Sequence, residues 1–240
     1  MFQYKNKLLK SGIIISLALF GYVNTAYSES NENFPLDSLD KTEAVMVIAK
    51  PVDYKGRNGL HVVVAPEHKS IKEGGCDNCT FLGVNTKPFK NGTIEIEVAG
   101  KPQKNAPVES RGFVGVVFRI NEDKSKYETI YLRPMNSREN DQLRRNHTVQ
   151  YVSYPNHPWY QLRKEFPGKY ETYADIETGE WIKLRIEVEG EKARLYINNN
   201  TQPTLIVNDL KHGANASGTI GLFVGPASDA YFRNLRITHR

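Results

Sequence analysis

The chain has 240 residues and a formal net charge of +5, from 32 Lys and Arg against 27 Asp and Glu. Residues 1–28 hold Lys5, Lys7 and Lys10 and no acid, so the remainder carries 29 basic against 27 acidic residues, a net charge of +2. A balance so near neutrality argues against nucleic acid or another polyanion as the general partner.

The first segment, MFQYKNKLLKSGIIISLALFGYVNTAYS, reads as a signal peptide. Its three lysines precede a short apolar run from Gly12 to Phe20. Ala26 and Ser28 occupy the small-residue positions of a cleavage site, so cleavage is expected after Ser28. The apolar run is too short for a comfortable membrane span, and no cysteine near the cut offers a lipid anchor. The expectation is an exported protein, periplasmic or secreted, with no membrane anchor. Residues 29–240 contain no linker, low-complexity tract or internal repeat. Their length of about 210 residues suits a single all-β domain.

Alternating runs then follow one another along the chain. Strands are predicted at TEAVMVIA (43–50 region), LHVVVAP (60–66), GTIEIEVAG (92–100), RGFVGVVFRI (111–120) and YETIYLRPM (127–135). More are predicted at TVQYVSY (148–154), WIKLRIEVEG (181–190), KARLYINN (192–199), TLIVNDL (204–210), GTIGLFVG (218–225) and AYFRNLRIT (230–238). Turn signals such as YKGRNG, KNG, VEGEK, NNNTQP and VGPASD separate them. Short β-branched and aromatic strands at this spacing, nearly free of helical periodicity, predict a two-sheet antiparallel sandwich. The clearest unit is the hairpin 181–199, where Ile182, Leu184, Ile186 and Val188 face one way and Lys183, Arg185 and Glu187 the other.

GEWIKLRIEVEGEKARLYINN, TLIVNDL and GTIGLFVGPASDAYFRNLRI resemble the C-terminal half of concanavalin A-like lectin/glucanase jelly rolls. Within that superfamily, NGTIEIEVAGKP, RGFVGVVFRI, YLRPMN and RRNHTVQYVSYP are similar to bacterial 3-keto-disaccharide hydrolase-like domains. The resemblance spans roughly residues 40–238 and implies a jelly-roll fold with an oligosaccharide or glycoside ligand in a groove on one sheet. Fold and function are separable, since such scaffolds bind sugars with or without cutting them.

Alternation sorts the candidates for that groove. Glu95 and Glu97 share a face with Thr93, opposite Ile94, Ile96 and Val98. Arg119 shares a face with Val117, Gly115 and Phe113, where small residues leave room for a ligand. Tyr131 and Arg133 share a face, as do Gln150, Val152 and Tyr154. Glu95 and Glu97 are the candidate acid and nucleophile of a two-carboxylate glycosidase, whose retaining form needs carboxylates about 5–5.5 Å apart. Family 16 glycoside hydrolases, which resemble this fold, use an E-x-D-x-x-E strand. Here EIEVAG puts Gly100 at the third acidic position, so a solvated polar face is the stronger reading of this pair.

Residues 144–171, RRNHTVQYVSYPNHPWYQLRKEFPGKYE, crowd arginines with aromatic rings. Sugar C–H faces stack on rings and hydroxyl pairs match guanidinium donors. Across residues 133–170, Arg133, Arg145, Arg163, Tyr154 and Trp159 are therefore candidate ligand contacts, and Pro155, Pro158 and Pro167 stiffen the loop. The alternative is that the rings pack the loop onto the sandwich. His147 and His157 lie in the same stretch. A neutral imidazole at His147 could take the acidic proton beside the carbonyl of a 3-keto sugar, with an arginine stabilising the enolate.

Cys76 and Cys79, in CDNC, read as a short-loop disulfide in an exported chain. No ligand set for zinc or calcium stands out, so no metal site is assigned and no cofactor is named. The expected function is an exported carbohydrate-active protein of the lectin/glucanase type, a glycoside hydrolase acting on 3-keto-disaccharide-like substrates. The alternatives are a non-catalytic carbohydrate-binding module and a structural or interaction sandwich.

Overall fold

The computed structural model describes Met1 and residues 30–69 and 79–240. The expected signal segment and Cys76 lie outside the described residues, and with Cys76 the pairing to Cys79. The first strands are β1 (Ser30–Phe34), β2 (Thr42–Val45), β3 (Val47–Asp53), β4 (Asn58–Val64) and β5 (Phe81–Phe89). Next come β6 (Gly92–Pro102), β7 (Val114–Ile120), β8 (Tyr127–Leu132), the helix α1 (Gln142–Asn146) and β9 (Val149–Tyr154). After them run α2 (Trp159–Glu165), β10 (Glu171–Thr172), β11 (Ile182–Glu189), β12 (Lys192–Ile197), β13 (Leu205–Val207), β14 (Gly218–Val224) and β15 (Ser228–His239).

The strands form two antiparallel sheets. One runs β13-β12-β11-β6-β15-β4-β3, with β1 pairing the second half of β15; the other runs β10-β9-β8-β7-β14-β5-β2. The expected sandwich is therefore the observed architecture. Its core forms because alternation sends one apolar row inward from each sheet. Ile94, Ile96, Val98, Ile182, Leu184, Ile186 and Val188 come from the first sheet. Val114, Val116, Ile130, Leu132, Val149 and Leu222 come from the second, all buried.

Each predicted run contains a strand, with two informative departures. The run 43–50 is split at Met46, whose φ of 53° turns the chain so that β2 joins one sheet and β3 the other. FLGVNTKPF, whose alternation Gly, Asn and Pro interrupt, is nonetheless β5 and lies between β14 and β2.

Both faces of β7 and β8 are buried. The outward face carries an aromatic layer: Phe81 meets Tyr127 edge-on at 5.2 Å, Tyr127 stacks on Tyr154 at 5.0 Å, and Tyr131 touches Phe223 at 5.0 Å. Part of the cover is residues 155–170, which the sequence suggested was a loop but which contains α2. Pro158 starts this helix, Gln161 and Glu165 bond one turn apart, and buried Leu162 anchors it.

The far end of this cover is tied down by a charge cluster. Tyr170 donates to Asp209 at 2.6 Å, while Lys169 and Lys211 each reach the same carboxylate at 2.9 Å. Partial burial alone would raise the Asp209 pKa, but these three donors hold it down to about 2. A depressed folded-state carboxylate stabilises above its unfolded value near 3.8 and loses that contribution as pH falls toward 2. Asp209→Asn should therefore cost about 1 kcal/mol at neutral pH, discounted for exposure. Denaturant titrations should find the difference from the native chain vanishing near the acid end. An equal loss at every pH would refute the linkage.

Candidate functional site

A cleft of about 520 Å³ opens on the outward face of the second sheet, lined by Phe113, Tyr131, Arg133, His147, Trp159 and Phe223 among others. Its residues come from separate elements. Tyr131 ends β8, and Arg133 follows it just before the 3₁₀ turn Pro134–Arg138. His147 caps the C-terminal end of α1, whose start is capped by Asp141 accepting from the Leu143 and Arg144 amides. Trp159 and Arg163 lie one turn apart on α2.

The polar centre is a connected network. Arg133, only 6% exposed, donates to the Tyr131 hydroxyl at 2.8 Å, to the His147 carbonyl at 3.0 Å and to Gln150 Oε1 at 3.3 Å. Its guanidinium carbon lies 4.9 Å from the Tyr131 ring centre and 5.9 Å from that of Phe113. Arg163 lies over Trp159 at 4.9 Å and forks onto both oxygens of Glu171. Glu171 Oε1 also lies 2.8 Å from His147 Nδ1. That contact is short but falls outside hydrogen-bond alignment, so Glu171 acts on the ring mainly as a charge.

Burial pushes the His147 pKa below the ordinary imidazole value of 6.5. Glu171 pulls it back upward, and the charges of Arg163 and Arg133 reinforce the lowering. At neutral pH His147 is accordingly an uncharged base. Buried Asn136 donates to the His147 carbonyl at 3.2 Å, while its side-chain oxygen has no partner among the described residues.

Tyr131, Arg133, His147, Trp159 and Arg163, scattered in sequence, thus converge on one cleft. Gln150 lies directly behind Arg133 and donates to the carbonyls of Tyr151 and Tyr170. Arg145 points elsewhere, with its guanidinium on Tyr173. Tyr154 is part of the aromatic layer, stacked on Tyr127 away from the lining.

Arg119 leaves the face assigned to it by alternation. A bulge in β7 sets two of its residues, Phe118 and Arg119, opposite the single β14 residue Ile220, and Arg119 takes a φ of 56°. The re-aimed side chain is 2% exposed and donates to the carbonyls of Lys90, Gly190 and Gly213. Nor does Gly115 leave ligand space, because a Cβ there would lie 2.5 Å from Tyr131 Cβ.

Glu95 and Glu97 belong to β6 in the other sheet and do not line this cleft. Glu97 accepts from Arg57 at 2.9 Å and from Asn234 at 2.7 Å, as a polar sheet face does. Glu171 was missed, because a glutamate after PGKY carries no pattern that ties it to a histidine 24 positions earlier. Among the described residues no group of His, Cys, Asp and Glu side chains is arranged to hold a metal ion. No helix among them is long and apolar enough to cross a membrane.

Solved structures share this architecture. The carbohydrate-binding module CBM66 from Bacillus subtilis superposes with a TM-score of 0.53 at 15% identity, covering 82% of this chain and 95% of that one. A protein of unknown function with a galectin-like fold, also from Bacillus subtilis, gives 0.54 at 11% identity, covering 87% and 94%. At such identities the likeness is one of fold. No curated protein sequence matches the chain. Residues 49–238, nearly all of the sandwich, match the family described as the 3-keto-alpha-glucoside-1,2-lyase-like domain, and the chain belongs to that family.

Proposed function

We propose that the protein is exported and cleaves 3-keto glycosides in this cleft, with His147 as the base. The observation that carries the reading is an uncharged, largely buried imidazole sharing one cleft with the Arg133 guanidinium and four aromatic rings. A ketone at C3 acidifies the proton on C2. The imidazole takes that proton, the electrons pass through an enolate, and the C1–O bond breaks to leave a C1=C2 enone and a free alcohol. The departing oxygen acquires a proton from solvent, and water then adds at C1 to complete hydrolysis. Arg133 stabilises the enolate oxygen and Glu171 supports the imidazolium that forms.

Family membership supports the substrate class, and the rings suit the C–H face of a pyranose. Turnover of 3-keto glycosides alongside ordinary glycosides is the direct test. Release of aglycone from the keto form alone is expected, and binding of either sugar without release would make the domain a binding module. Trp159→Ala should weaken glycan binding by about 1–3 kcal/mol, as loss of a stacking platform does, measurable by calorimetry. Unchanged binding would mean that Trp159 only packs α2. Export predicts a mature N-terminus at Glu29 in protein recovered from its host, with Cys76 joined to Cys79 in a non-reducing peptide map. A retained leader or two free thiols would overturn that part of the reading.

A further inference from the structure

The cleft holds more positive charge than one transient enolate requires. Four arginines line it: Arg111, Arg133, Arg144 and Arg163. Two of them are offset by carboxylates, Arg163 by Glu171 and Arg144 by Glu139 and Asp141. The other two form no ion pair of their own, although the Glu171 charge held by Arg163 also reaches Arg133. Arg111 donates to the carbonyls of Val108 and Ser110. Arg133 is nine-tenths buried, and its bonds to Tyr131, Gln150 and the His147 carbonyl all end on neutral oxygens. The one carboxylate in the lining, Glu109, is exposed and forms no ion pair with either of them among the described residues. A guanidinium removed from water without an ion pair of its own is costly, and a ligand that brings an anion beside it offsets the cost. A carboxylate suits this place because its planar oxygens match guanidinium donors.

We propose that the glycoside taken by this cleft is acidic, carrying a uronic-acid carboxylate that faces Arg111 within the field of Arg133. The inference rests on the reading of the cleft as a glycoside site and specifies its substrate class. The rings of Phe113 and Trp159, the two of the four that are not fully buried, take the apolar face of the sugar, and the two guanidiniums select charge. Neutral glycosides of the same shape leave both cations without an ion pair and bind more weakly.

The test titrates the full chain with a glucuronic-acid-terminated disaccharide and with the glucose-terminated disaccharide of identical linkage. The 3-keto form of each is included, and calorimetry is run at low and high salt. The acidic sugar should bind about tenfold or more tightly at low salt, with the advantage shrinking as salt screens the pair. Arg133→Gln and Arg111→Gln should each reduce the acidic-to-neutral ratio. If Arg133→Gln fails to fold, Arg111→Gln and the salt dependence decide the matter. Equal affinities, or an acidic advantage that neither salt nor these variants reduce, would overturn the acidic substrate while leaving a glycoside site intact. Failure of all four sugars to bind would overturn the glycoside reading as well.

Discussion

Replacing His147 with alanine should lower turnover of a 3-keto glycoside by roughly 10²–10⁴-fold, the usual loss when a positioned base is removed. The fold should survive, because the hydrogen bonds that knit this corner use the main chain of His147. Its carbonyl accepts from Arg133 and Asn136, and its amide donates to the Arg144 carbonyl. Sugar binding should therefore change little. Turnover by the native protein needs the uncharged ring, so it should fall as pH drops through a pKa below 6.5. Glu171→Gln removes the principal influence raising that pKa and should move this acid limb further down. Steady-state kinetics across pH would check all three effects. A two-carboxylate glycosidase would behave otherwise, tolerating His147→Ala and losing turnover with Glu95→Gln or Glu97→Gln.

Arg119→Met should destabilise the protein by about 2–5 kcal/mol, the second large effect. Methionine keeps much of the side-chain volume but strands the carbonyls of Lys90, Gly190 and Gly213, which now share one guanidinium. Each buried acceptor left without a donor costs about 1–3 kcal/mol, less where water can enter. Burial lowers the Arg119 pKa, yet guanidinium remains charged at any pH at which the protein folds. Arg119 is remote from the cleft lining, so ligand affinity should be retained wherever the variant is folded. Denaturant unfolding and calorimetry separate the two properties. A variant of native stability that no longer binds sugar would return Arg119 to the ligand groove.

The fold was legible in the sequence wherever burial imposed a period of two. Ile182, Leu184, Ile186 and Val188 face the core as their spacing requires, and the paired strand β6 shows the same signature in Ile94, Ile96 and Val98. The family was legible for the same reason, since its quoted motifs are strands whose alternation the sandwich enforces. Alternation could not reveal a bulge. The one extra β7 residue opposite β14 moves Arg119 out of register, and that step depends on the neighbouring strand rather than on FVGVVFRI itself.

The cleft divides along the same line. Composition alone made residues 144–171 conspicuous, and Arg133, His147, Trp159 and Arg163 were identifiable as chemistry-bearing side chains. Which of them share a cavity was decided by the packing of α2 against β9 and by the capping of α1 beside Arg133. The pairing of His147 with Glu171 closes 24 residues of chain through β9 and α2, a distance over which no local pattern operates. The sheet assignment of Glu95 and Glu97 was likewise tertiary. A strand's sequence specifies which of its side chains share a face, but only pairing with its neighbours decides which surface of the molecule that face becomes.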